Sequence, residues 1–318
     1  MSVSTSMRRK LPVAGAVLAA VALTLTACSS GSGSVPGETS GSGSTDAATS
    51  SLFDGAPVAD DTLILPDSTM AKIKERGKLI VGEALDAPLL SQQDPANPEN
   101  VTGFDAALAK LLAIYILGKP NVEIVPPASE TREALLANGT VDVVFNTYTI
   151  TEERAKQISF AGPYFSSGLA VAVKADNTDI KGIDDLGGKT VIVGANTPAV
   201  TEVPKQQPTA KLVDFATDPQ AVQALLQGRG DAYVQDYTLL ASDAAANDKL
   251  KVVGQPFTKE PYGIGLKHGD DDFKEFINTW LTTIQDKGQW GQAWKTTLGT
   301  VVDSEIPTPP AIGSVPGS

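Results

Sequence analysis

The nine residues Asn146-Thr147-Tyr148-Thr149-Ile150-Thr151-Glu152-Glu153-Arg154 bring together hydroxyls, an amide and one guanidinium, the donor set of an anion cradle. Arginine can hold a carboxylate through two parallel N–H bonds, a geometry lysine does not provide. Thr147 and Thr149 add hydroxyl donors, and nearby backbone N–H groups can complete the cradle. Thr151 is a good helix N-cap, and Glu152 and Glu153 suit the positive end of a helix dipole. A capping box would place Glu or Gln three residues after that cap. Arg154 stands there instead, a cation where the dipole disfavours one, and such a break in local rules asks for a partner. That partner is either a bound carboxylate, or Glu152, Glu153 or a surface acid.

Stepping along the chain shows what positions this turn. ALLANGTVDVVFNTYT (Ala134 to Thr149) is echoed by ALLQGRGDAYVQDYT (Ala224 to Thr238), and GKLIVG from Gly77 is echoed by GKTVIVG from Gly188. Each copy reads as helix end, glycine stop, Asp, apolar strand and polar residues. Two similar α/β units follow, with polar strand ends pointing the same way. Ligands of open α/β sheets lie beyond the carboxyl ends of strands, and small-molecule sites favour domain interfaces. Aligned on Asp142 and Asp231, Thr147 falls opposite Asp236. A carboxylate facing a donor-rich turn suits an ammonium, so Arg154 and Asp236 together form a candidate clamp for the α-carboxylate and α-amine of one amino acid. Asp236 also reads as an N-cap before Thr238, a compatible role. The turn holding Asn196, Thr197 and Pro198 offers backbone N–H groups to a carboxylate, or is a plain connection with Pro198 opening a helix. The matching first-lobe turn, Glu83 to Pro88, places Asp86 as a further candidate.

Composition narrows the class. Residues 1–27 carry Arg8, Arg9 and Lys10 ahead of the apolar run Leu11 to Leu25, a signal peptide too short for a comfortable span. Small residues then precede Cys28, the single cysteine of 318 residues. The pattern predicts a lipoprotein cleavage site with lipid on Cys28. Residues 28–53 read as a tether, because 17 of the 23 residues from Ser29 to Ser51 are Ser, Gly or Thr. About 250 residues remain for the folded body, and four prolines mark 304–318 as a disordered Pro-rich tail. Without the three basic residues of the leader, 22 basic residues face 37 acidic ones, a net charge of −15. That argues against a nucleic-acid partner. One histidine, His268, and one cysteine make a Ser-His-Asp triad or a zinc site a poor expectation. Asp270 to Asp272 lack the alternating spacing of a calcium loop, so neither metal nor cofactor is expected.

The motifs GFDAALAKLL from Gly103, NGTVDVVFNTYTITEERAKQISFAGPYFSSG from Asn138, DLGGKTVIVGANTPA from Asp185 and EPYGIGLKHGD from Glu260 resemble the family 3 extracellular solute-binding proteins, the amino-acid receptors of ATP-binding-cassette (ABC) importers. The resemblance covers Lys72 to Gly299, and TYTIT and AGPYF are most similar to the glutamate-binding lipoprotein branch. It implies an α/β, type II periplasmic-binding-protein fold: a two-lobed Venus-flytrap with a two-strand hinge, the first lobe over 54–167, the second over 168–259 and a return to the first over 260–303. It assigns the α-carboxylate to Asn146, Thr147, Thr149, Arg154, Asn196 and Thr197, and the α-amine to Asp236. It further implies a monomer held at the extracytoplasmic face of the cell membrane through Cys28, partnered by an importer permease, and no catalysis.

Two departures concern the ligand side chain. No aromatic stands at Asp86 or Ser129, where many relatives sandwich the ligand, and Leu89 replaces a glycine frequent in the glutamate branch. A short polar side chain is expected, glutamate, aspartate, glutamine or asparagine ahead of arginine and lysine. A side-chain carboxylate would call on Arg132 or Lys156, whereas Asp86 in the pocket would favour a basic or amide side chain. The alternatives are a cyclic-acid dehydratase, with Glu83 or Glu130 as general acid, and an extracellular amino-acid sensor.

Overall fold

The computed structural model describes residues 52–318; Cys28, the signal peptide and nearly all of the tether lie outside them. Helix α1 (Thr69–Arg76) starts at Ser68, whose side chain accepts from the Ala71 N–H, and stops at Gly77 in the left-handed region. It leads into β1 (Leu79–Gly82), then β2 (Asp86–Ala87), β3 (Ser91–Gln93) and β4 (Val101–Thr102), the last three forming a small antiparallel sheet. The apolar helix α2 (Phe104–Leu117) is buried over most of its length, as a helix hydrophobic all round must be. There follow β5 (Val122–Val125), α3 (Arg132–Ala137), β6 (Val143–Val144), α4 (Glu152–Ala155) and β7 (Ser159–Ser167). The chain then builds β8 (Leu169–Lys174), β9 (Thr190–Gly194), α5 (Ala199–Gln206), β10 (Lys211–Phe215), α6 (Asp218–Leu226), β11 (Ala232–Asp236), α7 (Tyr237–Ala246) and β12 (Leu250–Val253). It ends with β13 (Glu260–Leu266), α8 (Asp271–Asp286) and α9 (Gln289–Thr296).

Two five-stranded sheets result, ordered β5-β1-β6-β13-β7 and β10-β9-β11-β8-β12, and each centres one lobe. The repeat is visible in both. β6 lies parallel to β1, and β11 lies parallel to β9. Asp142 accepts from the Ile80 N–H at 2.8 Å, and its echo Asp231 accepts from the Thr190 N–H at 2.7 Å. The same carboxylate thus caps the neighbouring strand twice. The change of sheet falls between Ser167 and Leu169, and again between Val253 and Glu260, and Glu260 pairs with Ser167 so that the two crossings run side by side. Gly168 sits where a side chain would meet the Thr258 carbonyl oxygen at 2.4 Å, so the crossing strands approach more closely than any Cβ allows.

The first lobe's core joins α2, the inner faces of β1 and β13, and the aromatic side of α8 and α9. Phe273, Phe276, Ile277, Trp280, Leu281 and Ile284 are buried there at helical spacing, with Trp290 and Trp294 continuing the surface. The expectation of a disordered tail over 304–318 is corrected. This segment has no helix or strand, yet Ile312 and Val315 pack on the first lobe's clusters, and the Gly313 N–H donates to the Gly162 carbonyl at 2.8 Å. Gly317 lies so near α4 that a Cβ there would stand 2.9 Å from that of Ala155. Proline content reads as disorder only when no apolar partner exists; here two apolar side chains find one.

Candidate functional site

A cavity of about 340 Å³ opens between the lobes beyond the carboxyl ends of β6, β9 and β11. Asn146, Thr147, Thr149, Arg154, Thr197 and Asp236 line it, as do Asp86 and Arg132. Asn196 does not; it faces the outer groove that continues from the cavity. Lys156, the C-cap of α4, is exposed and lines neither space.

The turn after β6 is held under strain. Thr147 has φ 44°, a left-handed conformation rare for a β-branched residue. Its N–H donates to Asp105 Oδ2 at 2.9 Å, and Tyr164 donates its hydroxyl to Asp105 Oδ1 at 2.8 Å. Burial pushes the Asp105 carboxyl up to about 6, opposed by these two hydrogen bonds. Asp105 therefore shapes the cradle from α2. In sequence it looks like a first-turn acid on a helix dipole, and nothing local points it at Thr147, 42 residues away.

Thr151 caps α4 by accepting from the Arg154 N–H at 3.2 Å. The Arg154 side chain is buried: Nη1 donates to the Thr149 carbonyl at 2.7 Å, Nη2 to the Asn196 carbonyl at 2.6 Å, and Nε lies 3.5 Å from Glu133 Oε1. A guanidinium has five N–H donors, so each Nη keeps one after these bonds. The predicted partner acids, Glu152 and Glu153, are exposed, and neither forms an ion pair with it among the described residues. Arg132 lies 4.3 Å and Arg154 4.9 Å from the centroid of the Tyr148 ring. Arg132 is further fixed through Nε to the Ser129 carbonyl and Nη1 to the Asn146 carbonyl. Burial, and then the Arg154 charge, bring its pKa down to about 10. Two guanidiniums thus make one cationic end.

Asp236 ends β11. Its Oδ1 accepts from Ser167 Oγ at 2.7 Å, Thr238 N at 3.0 Å, Thr238 Oγ1 at 2.9 Å and the Tyr262 hydroxyl. It caps α7 as expected, and it also lines the cavity. Its Oδ2 is buried with no hydrogen-bond partner among the described residues. Burial pushes the carboxyl up to about 6, opposed first by the Tyr262 hydroxyl. Glu260, at the start of the returning strand, also lines the cavity and accepts from Thr258 Oγ1 at 2.7 Å. Burial drives it up to about 7, opposed by Thr258, while the Asp236 charge adds to the rise. Sequence reasoning passed over Glu260, since its place depends on the hinge.

The lobes touch directly. Besides the Arg154–Asn196 bond, Asn196 Nδ2 donates to the Ser129 carbonyl and to Glu133 Oε2, both at 3.3 Å, and the Ser129 N–H meets the Ala216 carbonyl at 3.5 Å. Asn196 has φ 54°, which aims its carbonyl at the opposite lobe. Of the two acids considered for catalysis, Glu83 is buried outside the cavity wall and Glu130 is exposed in the outer groove. Among the described residues, no group of His, Cys, Asp and Glu is arranged to hold a metal, and no helix is long and apolar enough to cross a membrane.

Two α/β lobes around a polar cleft, joined by paired crossing strands, define a solute-binding protein of the two-lobed periplasmic type. The family model described as bacterial extracellular solute-binding proteins, family 3, matches residues 79–299, and the chain belongs to that family. It is 33% identical to the ABC transporter glutamine-binding protein GlnH of Bacillus subtilis, over 71% of this chain and 83% of that one. It is 31% identical to the glutamate-binding protein GluB of Corynebacterium efficiens, over 76% and 84%. Among solved structures it resembles the solute receptor for L-cysteine of Neisseria gonorrhoeae, with a TM-score of 0.70 and 30% identity over 76% of this chain and 97% of that one. These relatives are binding proteins, and their amino acids differ.

Proposed function

We propose that the chain captures a polar amino acid between its lobes and delivers it to the permease of an ABC importer. The observation that carries this reading is Asp236, a buried carboxylate with one unpartnered oxygen, lining the same cavity as Arg154 and Arg132. An α-ammonium satisfies that oxygen. The α-carboxylate takes the remaining N–H groups of Arg154, with Thr147, Thr149 and the turn at Thr197 around it. Asn196, held across the cleft, latches the closed form. The four expected ligands, glutamate, aspartate, glutamine and asparagine, share this clamp and differ only at the other end of the cavity.

The protein works as a monomer tethered at the extracytoplasmic face through lipid on Cys28, which keeps the loaded receptor near its permease. A thermal-shift screen of the twenty amino acids tests the clamp. A ligand at a hundred times its Kd stabilises by ~2.7 kcal/mol. An unmoved melting temperature with every amino acid would refute the reading and reopen the sensor and cyclic-acid dehydratase readings, the latter revealed by loss of a prephenate-like compound.

A further inference from the structure

The cavity carries further charged side chains besides the two guanidiniums and Asp236. Asp218 opens α6 and lines the cavity, next to the Phe215–Thr217 turn. Tyr233 donates its hydroxyl to Asp218 Oδ1 at 2.7 Å. Behind it stands Asp243 of α7, whose carboxyl is pushed up by burial and then by the Asp218 charge. Asp243 Oδ2 is buried and has no hydrogen-bond partner among the described residues. From the other lobe comes Asp86, solvent-exposed yet on the cavity wall, in a strand that packs against α7.

Burial raises all three carboxyl groups, and the Asp218 and Asp86 charges add to the rise at Asp243. The Tyr233 hydroxyl accounts for one oxygen of Asp218. It accounts neither for a second buried carboxyl behind it nor for Asp86 on the same cavity. Such a cluster costs folding free energy unless something donates to it. Arg132, the cation expected to take a side-chain carboxylate, is fixed over Tyr148 beside Arg154. It belongs to the α-carboxylate end.

We propose that Asp86 and Asp218, with Asp243 behind Asp218, are the specificity-determining residues of the cleft. They select a ligand side chain that ends in N–H donors, an amide, guanidinium or ammonium, and reject one that ends in a carboxylate. This rests on the amino-acid reading above and narrows it: of the four side chains expected, the amides fit these carboxyl groups and the acids do not. Carboxylates aimed at a bound amine or amide lose their partner when the ligand presents another carboxylate, and like charges meet in a partly desolvated site.

The test is calorimetric titration of the whole mature protein with L-glutamine, L-asparagine, L-arginine, L-lysine, L-glutamate and L-aspartate, repeated on Asp218→Asn and Asp86→Asn. At least one nitrogen-ended ligand should bind wild type tenfold or more tightly than both acids, and each variant should narrow that preference at least threefold. Asp86 is exposed, so its variant reports even if Asp218→Asn folds poorly. Glutamate or aspartate binding as tightly as the best nitrogen-ended ligand would overturn the proposal, as would an unchanged preference in both variants. If none of the six binds and none of the twenty moves the melting temperature, the amino-acid reading fails with it; if the acids bind best, that reading stands and only this assignment falls.

Discussion

Asp236→Asn separates binding from folding, because the two should respond in opposite directions. The substitution keeps the shape and the Oδ1 acceptor used by Ser167, Thr238 and Tyr262, and it removes the charge beside the unpartnered oxygen. An ammonium then meets an amide where it had a carboxylate. Removing one partner of a buried charged pair costs about 2–5 kcal/mol, which is a loss of roughly 30- to several-thousand-fold in affinity. Folding responds otherwise. The Asp236 carboxyl titrates at about 6 in the folded protein against an ordinary 3.8, so the folded form prefers the proton more than the unfolded chain does. Its contribution is most favourable below about pH 4 and is lost as the pH rises through 6. The loss is on the order of 3 kcal/mol, at 1.36 kcal/mol per unit. The ligand-free variant should therefore lose that much less stability than wild type between pH 4 and pH 8, roughly 2–4 °C in melting temperature per kcal/mol. Amino-acid affinity of the wild type should also weaken below pH 6 as Asp236 takes its proton. Calorimetry and pH-dependent melting measure both. An affinity within threefold of wild type, or a parallel pH slope in the two proteins, would refute the reasoning.

Arg154→Ala should lower affinity by a similar 2–5 kcal/mol, since it removes the carboxylate partner and the bridge to the Asn196 carbonyl; Arg154→Lys should not restore it, because a point charge cannot bridge Thr149, Asn196 and a ligand at once, and full rescue by lysine in titration would exclude the bidentate role. Cys28→Ser should move the protein from the membrane to the soluble fraction and abolish labelling by a fatty-acid analogue; a variant that remains membrane-bound and labelled would remove the lipid anchor.

Much of the site was legible in sequence because the repeat carries it. Glycine stops, capping residues and apolar strand cores are local signals, and their duplication placed Thr147 opposite Asp236 before any coordinates. Arg154 drew notice by breaking a local rule. The tail over 304–318 misled for the converse reason: prolines are local, whereas the surfaces that receive Ile312 and Val315 are made by residues far away in the chain. Asp105 beneath Thr147, Glu260 at the hinge, and Asp86 beside Asp218 and Asp243 are pairings across dozens to more than a hundred residues. The sequence by itself determined two α/β units with polar strand ends and pointed to Arg154 and Asp236, which line one cavity, since turn chemistry and strand periodicity act over a few residues. Only the tertiary structure decided which carboxylates line the cavity and which do not. That choice depends on sheet register, the close crossing at Gly168 and the meeting of the lobes, and no short stretch of chain encodes these.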